Sequence, residues 1–273
     1  MRKTKKKRIS TRIKIIVIAS ALVMFVCTIT AVYLVLGNYD GLGLRQNIPK
    51  NAYDMSQVYE KDGFLHYDDG TYRSVTGIDV SVYQKKINWE KVKASGVDFA
   101  IIRLGYRSYD EDGELALDSK YKENLREAKK AGLDVGVYFF SQAKTTAEAI
   151  KEARYVVRHI RGKGITYPVV FDMEPIDGAD RITDLNAEEK TEIADAFCQV
   201  IERNGYTPMI YGNPQWLSKH VNLEYLTKYD TWLAHYADET DYPYAFKMWQ
   251  YSHTGKVKGI KGHVDLNMYF IES

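Results

Sequence analysis

From residue 76 onward the chain alternates short apolar runs with amphipathic segments, and this rhythm restricts its fold more than any other feature. Residues 77–80 (GIDV) read as a short strand, followed by a short helix capped by Asn88 and stopped near Gly96. Residues 99–104 (FAIIRL) form a near-continuous apolar run, as expected of a strand buried on both faces. A helix from Ser119 carries Tyr121, Leu125 and Ala128 on one face and ends at Gly132, and residues 135–140 supply the next strand. Thr145 and Glu148 predict a capping box for a helix with Ile150, Ala153, Val156, Val157 and Ile160 inward. Asn186 and Glu189 open another, with Ile193, Phe197, Val200 and Ile201 inward and Gly205 as its stop. Strands at 165–175 and 208–211 flank it, and three more follow at 231–234, 246–251 and 264–267. Eight strands, with helices only among the first five, indicate an α/β fold. The expected form is an irregular (β/α) TIM-like barrel of about five βα units and three further strands over 76–273. A doubly wound open sheet is the competitor.

The stretch 165–175, ITYPVVFDMEP, carries the chemistry. Side chains alternate along a strand, so Asp172 and Glu174 point one way and Met173 the other. Two carboxyls this close in a dry site cannot ionise independently. Repulsion and desolvation hold one protonated near neutral pH, as a general acid requires.

Function in such barrels gathers at the carboxyl ends of the strands. The predicted strands end in Asp79; Arg103 and Tyr106; Tyr138, Phe140 and Ser141; Asp172 and Glu174; Tyr211; Trp232, His235 and Tyr236; Gln250 and Tyr251; and Asp265. Asp79, Asp172, Glu174 and Asp265 converge on one mouth, a concentration of buried charge that costs stability unless function requires it. Arg103 reads either as a ligand-binding residue or as a neutraliser of Asp79 or Asp172. The 22 tyrosines suit a groove that stacks on sugar faces.

The amino-terminal part reads differently. Eight Lys/Arg stand in residues 1–14, without an acid, and the next 22 residues, 15–36, carry no charge. Such a segment is long enough to span a bilayer as a helix, and the flanking charge puts residues 1–14 in the cytoplasm. The expectation is a single-pass cell-membrane protein whose catalytic domain is extracellular, with a cleaved signal peptide as the rival. Residues 37–75 read as a stalk, with a hairpin around Asp69-Gly70 that packs on the main domain as a flap. The whole chain carries +2 and its first fourteen residues +8, so the remainder sums to −6. The basic residues of that remainder form no run, which gives no sign of a nucleic-acid partner. Cys27 and Cys198 lie in different segments and form no disulfide framework, and no Cys/His cluster has zinc spacing.

Residues 76–268 resemble the family 25 glycoside hydrolases, the N-acetylmuramidase type of lysozyme. The resembling segments are GIDVSVYQ with INW, VDFAIIRLGYR, AGLDVGVYFFSQA, YPVVFDMEP, PMIYGN, TWLAHY, MWQYS and VDLN. The resemblance implies hydrolysis of the β-1,4 bond between N-acetylmuramic acid and N-acetylglucosamine in peptidoglycan, without a cofactor or metal. It implies Glu174 as general acid and Asp172 as its partner, with Asp79 and Asp265 in the family's other two acidic positions. Substrate contacts are expected from Asp79, Asp265, Arg103, Tyr138, Phe140, Tyr211, Trp232, Tyr236 and Gln250. Asp172 could attack as a nucleophile, activate a water, or hold the substrate's N-acetyl group as that group attacks. Two other classes stay open: a metal-dependent hydrolase using Asp79, Asp172, Asp265 and His235, and a barrel that binds the wall without turnover.

Overall fold

Residues 47–110, 112–176 and 181–273 are described by the structure, a computed structural model. The expected basic tail and membrane-spanning segment lie outside the described residues. Among the described residues no helix is long and apolar enough to cross a membrane.

In chain order the strands are β1 (Val58–Lys61), β2 (Phe64–Tyr67), β3 (Tyr72–Val80), β4 (Phe99–Arg107), β5 (Leu115–Leu117), β6 (Asp134–Phe140), β7 (Val169–Asp172), β8 (Pro208–Gly212), β9 (Asp230–Ala234), β10 (Met248–Gly255) and β11 (Val264–Glu272). The helices are α1 (Trp89–Ala94), α2 (Tyr121–Lys130), α3 (Thr146–Ile160), α4 (Ala187–Arg203) and the single turn α5 (Leu223–Leu226). Eight strands close into a barrel in the order β3, β11, β10, β9, β8, β7, β6, β4, with β4 pairing back onto β3. The open sheet is thereby excluded. Six of the eight junctions are parallel, but β11 runs antiparallel to both β10 and β3. The short β5 hangs antiparallel on the end of β4.

The helix starts follow their capping residues. Asn186 accepts the Glu189 N–H while Glu189 accepts that of Asn186, the full reciprocal box expected for α4. At α3 only half of it forms. Thr145 accepts from the Glu148 N–H, but the Glu148 carboxylate turns to the Lys144 N–H and to Arg181.

The barrel interior is filled by side chains. Phe99, Ile101, Val170, Met209, Trp232 and Met248 form one buried cluster, with Val75, Tyr167 and Tyr269 packed against it. Phe99 reaches across to β3, where a Cβ on Gly77 would lie 2.1 Å from its ring. Only glycine leaves room for that plug. Polar side chains replace the apolar ones one layer further toward the strand ends that carry Asp79, Asp172 and Gln250.

Two tight turns precede the barrel, one at Asp62-Gly63 joining β1 to β2 and one at the expected Asp69-Gly70. Asp62 and Gly63 both have positive φ, 54° and 83°, which a two-residue hairpin turn requires. Asp69-Gly70 turns the chain back into β3, closed by the antiparallel Asp68–Arg73 bridge and by the Asp69 N–H donating to the Tyr72 carbonyl at 3.1 Å. This segment lies on the barrel: Tyr53 stacks on Phe270 at 4.0 Å between ring centroids, and the Leu65 N–H donates to the Tyr251 hydroxyl at 3.2 Å.

Candidate active site

Asp79, the second-last residue of β3, pairs directly with Asp265 across the antiparallel junction with β11. Asp265 was expected to end a strand; it begins one. It reaches the mouth because β11 is reversed, and in a parallel strand the same position would lie at the opposite end of the barrel. Asp79 is buried, and its Oδ2 accepts from both Gln250 Nε2 and Asn267 Nδ2, each at 2.8 Å. Gln250 Oε1 in turn accepts from the Tyr211 and Tyr236 hydroxyls, both at 3.0 Å. Asn267 Oδ1 accepts from Trp232 Nε1 at 2.9 Å. One hydrogen-bonded fan therefore ties together β3, β8, β9, β10 and β11. Burial lifts the Asp79 carboxyl to about 6, against the pull of its two amide donors. Burial and the charge of Asp79 lift Asp265 to about 8.

Asp172 closes β7 as a buried residue, 5% exposed, and its Oδ1 finds no hydrogen-bond partner among the described residues. Leaving a buried acceptor unmet costs about 1–3 kcal/mol. Glu174, half-buried, shares a hydrogen bond with Asp172. Burial raises both carboxyls above their ordinary range. Asp172 is raised more, with the charges of Glu174 and Asp79 adding to its burial. Two carboxyls so raised and hydrogen-bonded to each other favour sharing a proton over ionising together. Met173, fully buried, faces away as alternation requires.

The loops around this pair are tied down from behind. The Ser141 N–H donates to the Asp172 carbonyl at 2.6 Å, and the Ser141 hydroxyl donates to Glu152 Oε2 at 2.7 Å. Glu152, wholly buried on α3, also meets Arg107 Nε at 2.6 Å, and burial still pushes its carboxyl to about 7. Gln142 Nε2 donates to the Glu174 carbonyl at 2.9 Å, while Arg181 donates to Gln142 and pairs with Glu148 at 3.1 Å.

The other expected residues divide. Tyr138 faces the acids, and burial pushes its phenol well up, so it stays a neutral donor. Phe140 is half-buried at the end of β6, in register with Asp172. Trp232 lies 2% exposed beneath the mouth as its floor, edge-on to Tyr211 at 4.8 Å. Tyr236 is 49% exposed and forms part of the rim. Arg103 neutralises neither Asp79 nor Asp172 by contact: it pairs with Asp118 at 2.8 Å, between the rings of Tyr83 and Tyr106. His235 Nδ1 bonds Thr240 Oγ1 at 2.7 Å, and no group of three His, Cys, Asp or Glu among the described residues is placed to hold a metal. Sequence reasoning passed over Asn267 and Asp118. Alternation along VDLN would have put Asn267 on the face of Asp265, whereas nothing local marked Asp118 as the partner of Arg103.

Comparison with known proteins gives a consistent picture. The family described as Glycosyl hydrolases family 25 matches residues 78–260. Lysozyme M1 of Streptomyces globisporus is 29% identical over 205 residues, covering 71% of this chain and 67% of its own. The structure of a lysozyme from Streptomyces coelicolor superposes with a TM-score of 0.58 at 25% identity, over 74% of this chain and 93% of that one. The modular autolysin LytC from Streptococcus pneumoniae, solved with a synthetic peptidoglycan ligand, superposes with a TM-score of 0.63 at 22% identity. That match covers 85% of this chain but only 61% of LytC.

Proposed function

The chain belongs to the glycosyl hydrolases family 25, and from that membership we propose that it is a cell-wall muramidase. It hydrolyses the β-1,4 bond between N-acetylmuramic acid and N-acetylglucosamine in peptidoglycan. The observation that carries this reading is the hydrogen-bonded Asp172–Glu174 pair, whose carboxyls are both raised by burial and whose Asp172 Oδ1 has no partner among the described residues.

That acceptor suits the N–H of the sugar's acetamido group. Once it is engaged, the ionised form of Asp172 is favoured, and the shared proton passes along the existing hydrogen bond to Glu174. Glu174 then donates it to the glycosidic oxygen as that bond breaks. The acetamido carbonyl oxygen attacks the anomeric carbon, and the charge of Asp172 steadies the oxazolinium ring that forms. Water next attacks the anomeric carbon, gives its proton to Glu174 and reopens the ring. Gln250 and Asn267 hold Asp79 in the surrounding wall, and Tyr138, Phe140, Tyr211, Tyr236 and Asp265 shape the sugar's bed above the Trp232 floor. Release of reducing ends from purified peptidoglycan, undiminished by a chelator, tests the reading. Loss of activity on chelation would favour a metal hydrolase, and absence of turnover a binding barrel.

The same reading places the enzyme at the cell membrane, held by residues 15–36 with residues 1–14 in the cytoplasm and the barrel outside. The apolar length and the flanking charge of the sequence support it.

A further inference from the structure

Two helices on the flank of the barrel carry matching basic stripes. Lys122, Arg126 and Lys129 stand at i, i+4 and i+7 on α2, and Arg154, Arg158 and Arg161 repeat that spacing along α3 and its cap. All six are exposed. Side chains so spaced share a helix face, and each stripe spans about 10 Å at 1.5 Å per residue. A groove of about 660 Å³ lies between the two helices, lined also by Lys163 and His159. A second, of about 440 Å³, lies between α3 and α4 and adds Arg203. Arg158 lines both, so the two adjoin across α3. No Asp or Glu lines either groove.

This concentration is not a reflection of bulk charge, since the chain beyond residue 14 sums to −6. Nor is it neutralised in place. Among the described residues only Arg126 of the six stripe residues has an ion pair, with its neighbour Glu127 at 2.8 Å. Like charges at i, i+4 repel one another along a helix face. The helix dipole favours the cations of the last turns, and anions on the face would offset the repulsion along the rest of each stripe. The helices run back against the strands, so five of the six stripe residues, all but Lys122 in the first turn of α2, lie in the helix halves directed away from the acidic mouth. An anionic chain repelled by Asp79, Asp172, Glu174 and Asp265 is accepted there without competing for the mouth.

We propose that the paired grooves flanking α3 are a docking site for a linear polyanion with repeating phosphodiesters, which holds the barrel on its substrate layer. Two grooves that share Arg158 on either side of one helix fit a chain laid over it better than a planar bilayer. The site is independent of which bond the mouth cleaves.

The test compares the full-length chain in detergent with the same chain carrying Lys122→Glu and Arg158→Glu, one reversal per stripe. Residues 1–14 stay identical in both, so their eight basic residues cancel from the comparison. The probe is poly(glycerol phosphate), titrated at several salt concentrations; matching thermal unfolding and peptidoglycan hydrolysis verify that the variant is folded. Binding by neutralised phosphates weakens linearly in log salt with a slope near the number of contacts. The expected result is at least a tenfold loss of affinity at low salt, with a slope shallower by about two. Equal affinity and slope in the two proteins would overturn the proposal, as would no binding by either. Discrimination between the proteins by mixed micelles of phosphatidylglycerol, but not by the polymer, would overturn it in favour of a lipid surface.

Discussion

Asp265 stands directly opposite Asp79 across the β3–β11 junction, so the two acids are cross-strand neighbours on one face of the sheet. Both titrate above the ordinary range, near 6 for Asp79 and near 8 for Asp265, chiefly through burial. The folded chain therefore binds protons that the unfolded chain has released. The stability these groups permit is complete below about pH 4 and is lost as the pH rises toward 8. In Asp265→Asn that loss should shrink. Thermal unfolding should find it more stable than the wild type at pH 8, by roughly 2–4 °C per kcal/mol recovered, with the difference vanishing near pH 4. Parallel curves for the two proteins would contradict the assignment.

Gln250 is the hub of the polar fan, serving Asp79 with its amide nitrogen and Tyr211 and Tyr236 with its oxygen. Gln250→Leu keeps the bulk but strands three polar partners. A destabilisation of about 1–3 kcal/mol is expected in urea unfolding, with turnover reduced at least tenfold. A change below half a kcal/mol would mean the fan is not a stabilising unit.

Behind Asp172, Glu152 is the buried counter-ion of Arg107 and the acceptor of Ser141. Glu152→Leu leaves a guanidinium buried without its charge partner, which costs about 3–5 kcal/mol. Glu152→Gln retains hydrogen-bonding atoms and should lose less. Equal denaturation midpoints for the two variants would show that the ion pair contributes nothing of its own.

The barrel was legible because strands and helices announce themselves by different hydrophobic periods, and acids at strand ends follow from alternation. The sense of the last strand was not. Nothing in VDLN says whether its strand runs up or down, since pairing direction depends on partners over 180 residues away, such as Ile78 for Leu266. Two Asp-Gly pairs lie seven residues apart, and local chemistry permitted a turn at either. Both form: β1–β2 pairing spans Asp62-Gly63, which the sequence reading passed over, and the Asp68–Arg73 bridge spans Asp69-Gly70. The basic stripes are equally hidden, because spacing by helical turns on two separate segments produces no run of charge.

Retention of residues 15–36 has a direct readout. If they remain as an anchor, the mature protein keeps its basic terminus and sediments with membranes through high-salt washing, because hydrophobic insertion is not screened. A soluble extracellular form beginning near Val32 would identify a cleaved signal.

The part played by Asp172 is separable from that of Glu174. Under assistance by the substrate, removing the N-acetyl group beside the cleaved bond should nearly abolish turnover by the wild type, since the nucleophile belongs to the sugar. Asp172→Asn should likewise lose activity strongly while still binding glycan. Appreciable cleavage of N-deacetylated chains would instead make Asp172 the nucleophile or the base. Because the mechanism needs a single proton on the pair, the rate should fall at both pH extremes, with both limbs shifted up from ordinary carboxylate values by burial.

The most direct measurement is the identity of the reducing sugar released from purified peptidoglycan by the wild type and by Glu174→Gln. New reducing ends should all be N-acetylmuramic acid. Their rate of appearance should fall by at least about 10²-fold in the variant, whose fold should be unchanged. Reducing N-acetylglucosamine ends, or near wild-type release by a folded Glu174→Gln protein, would contradict the account.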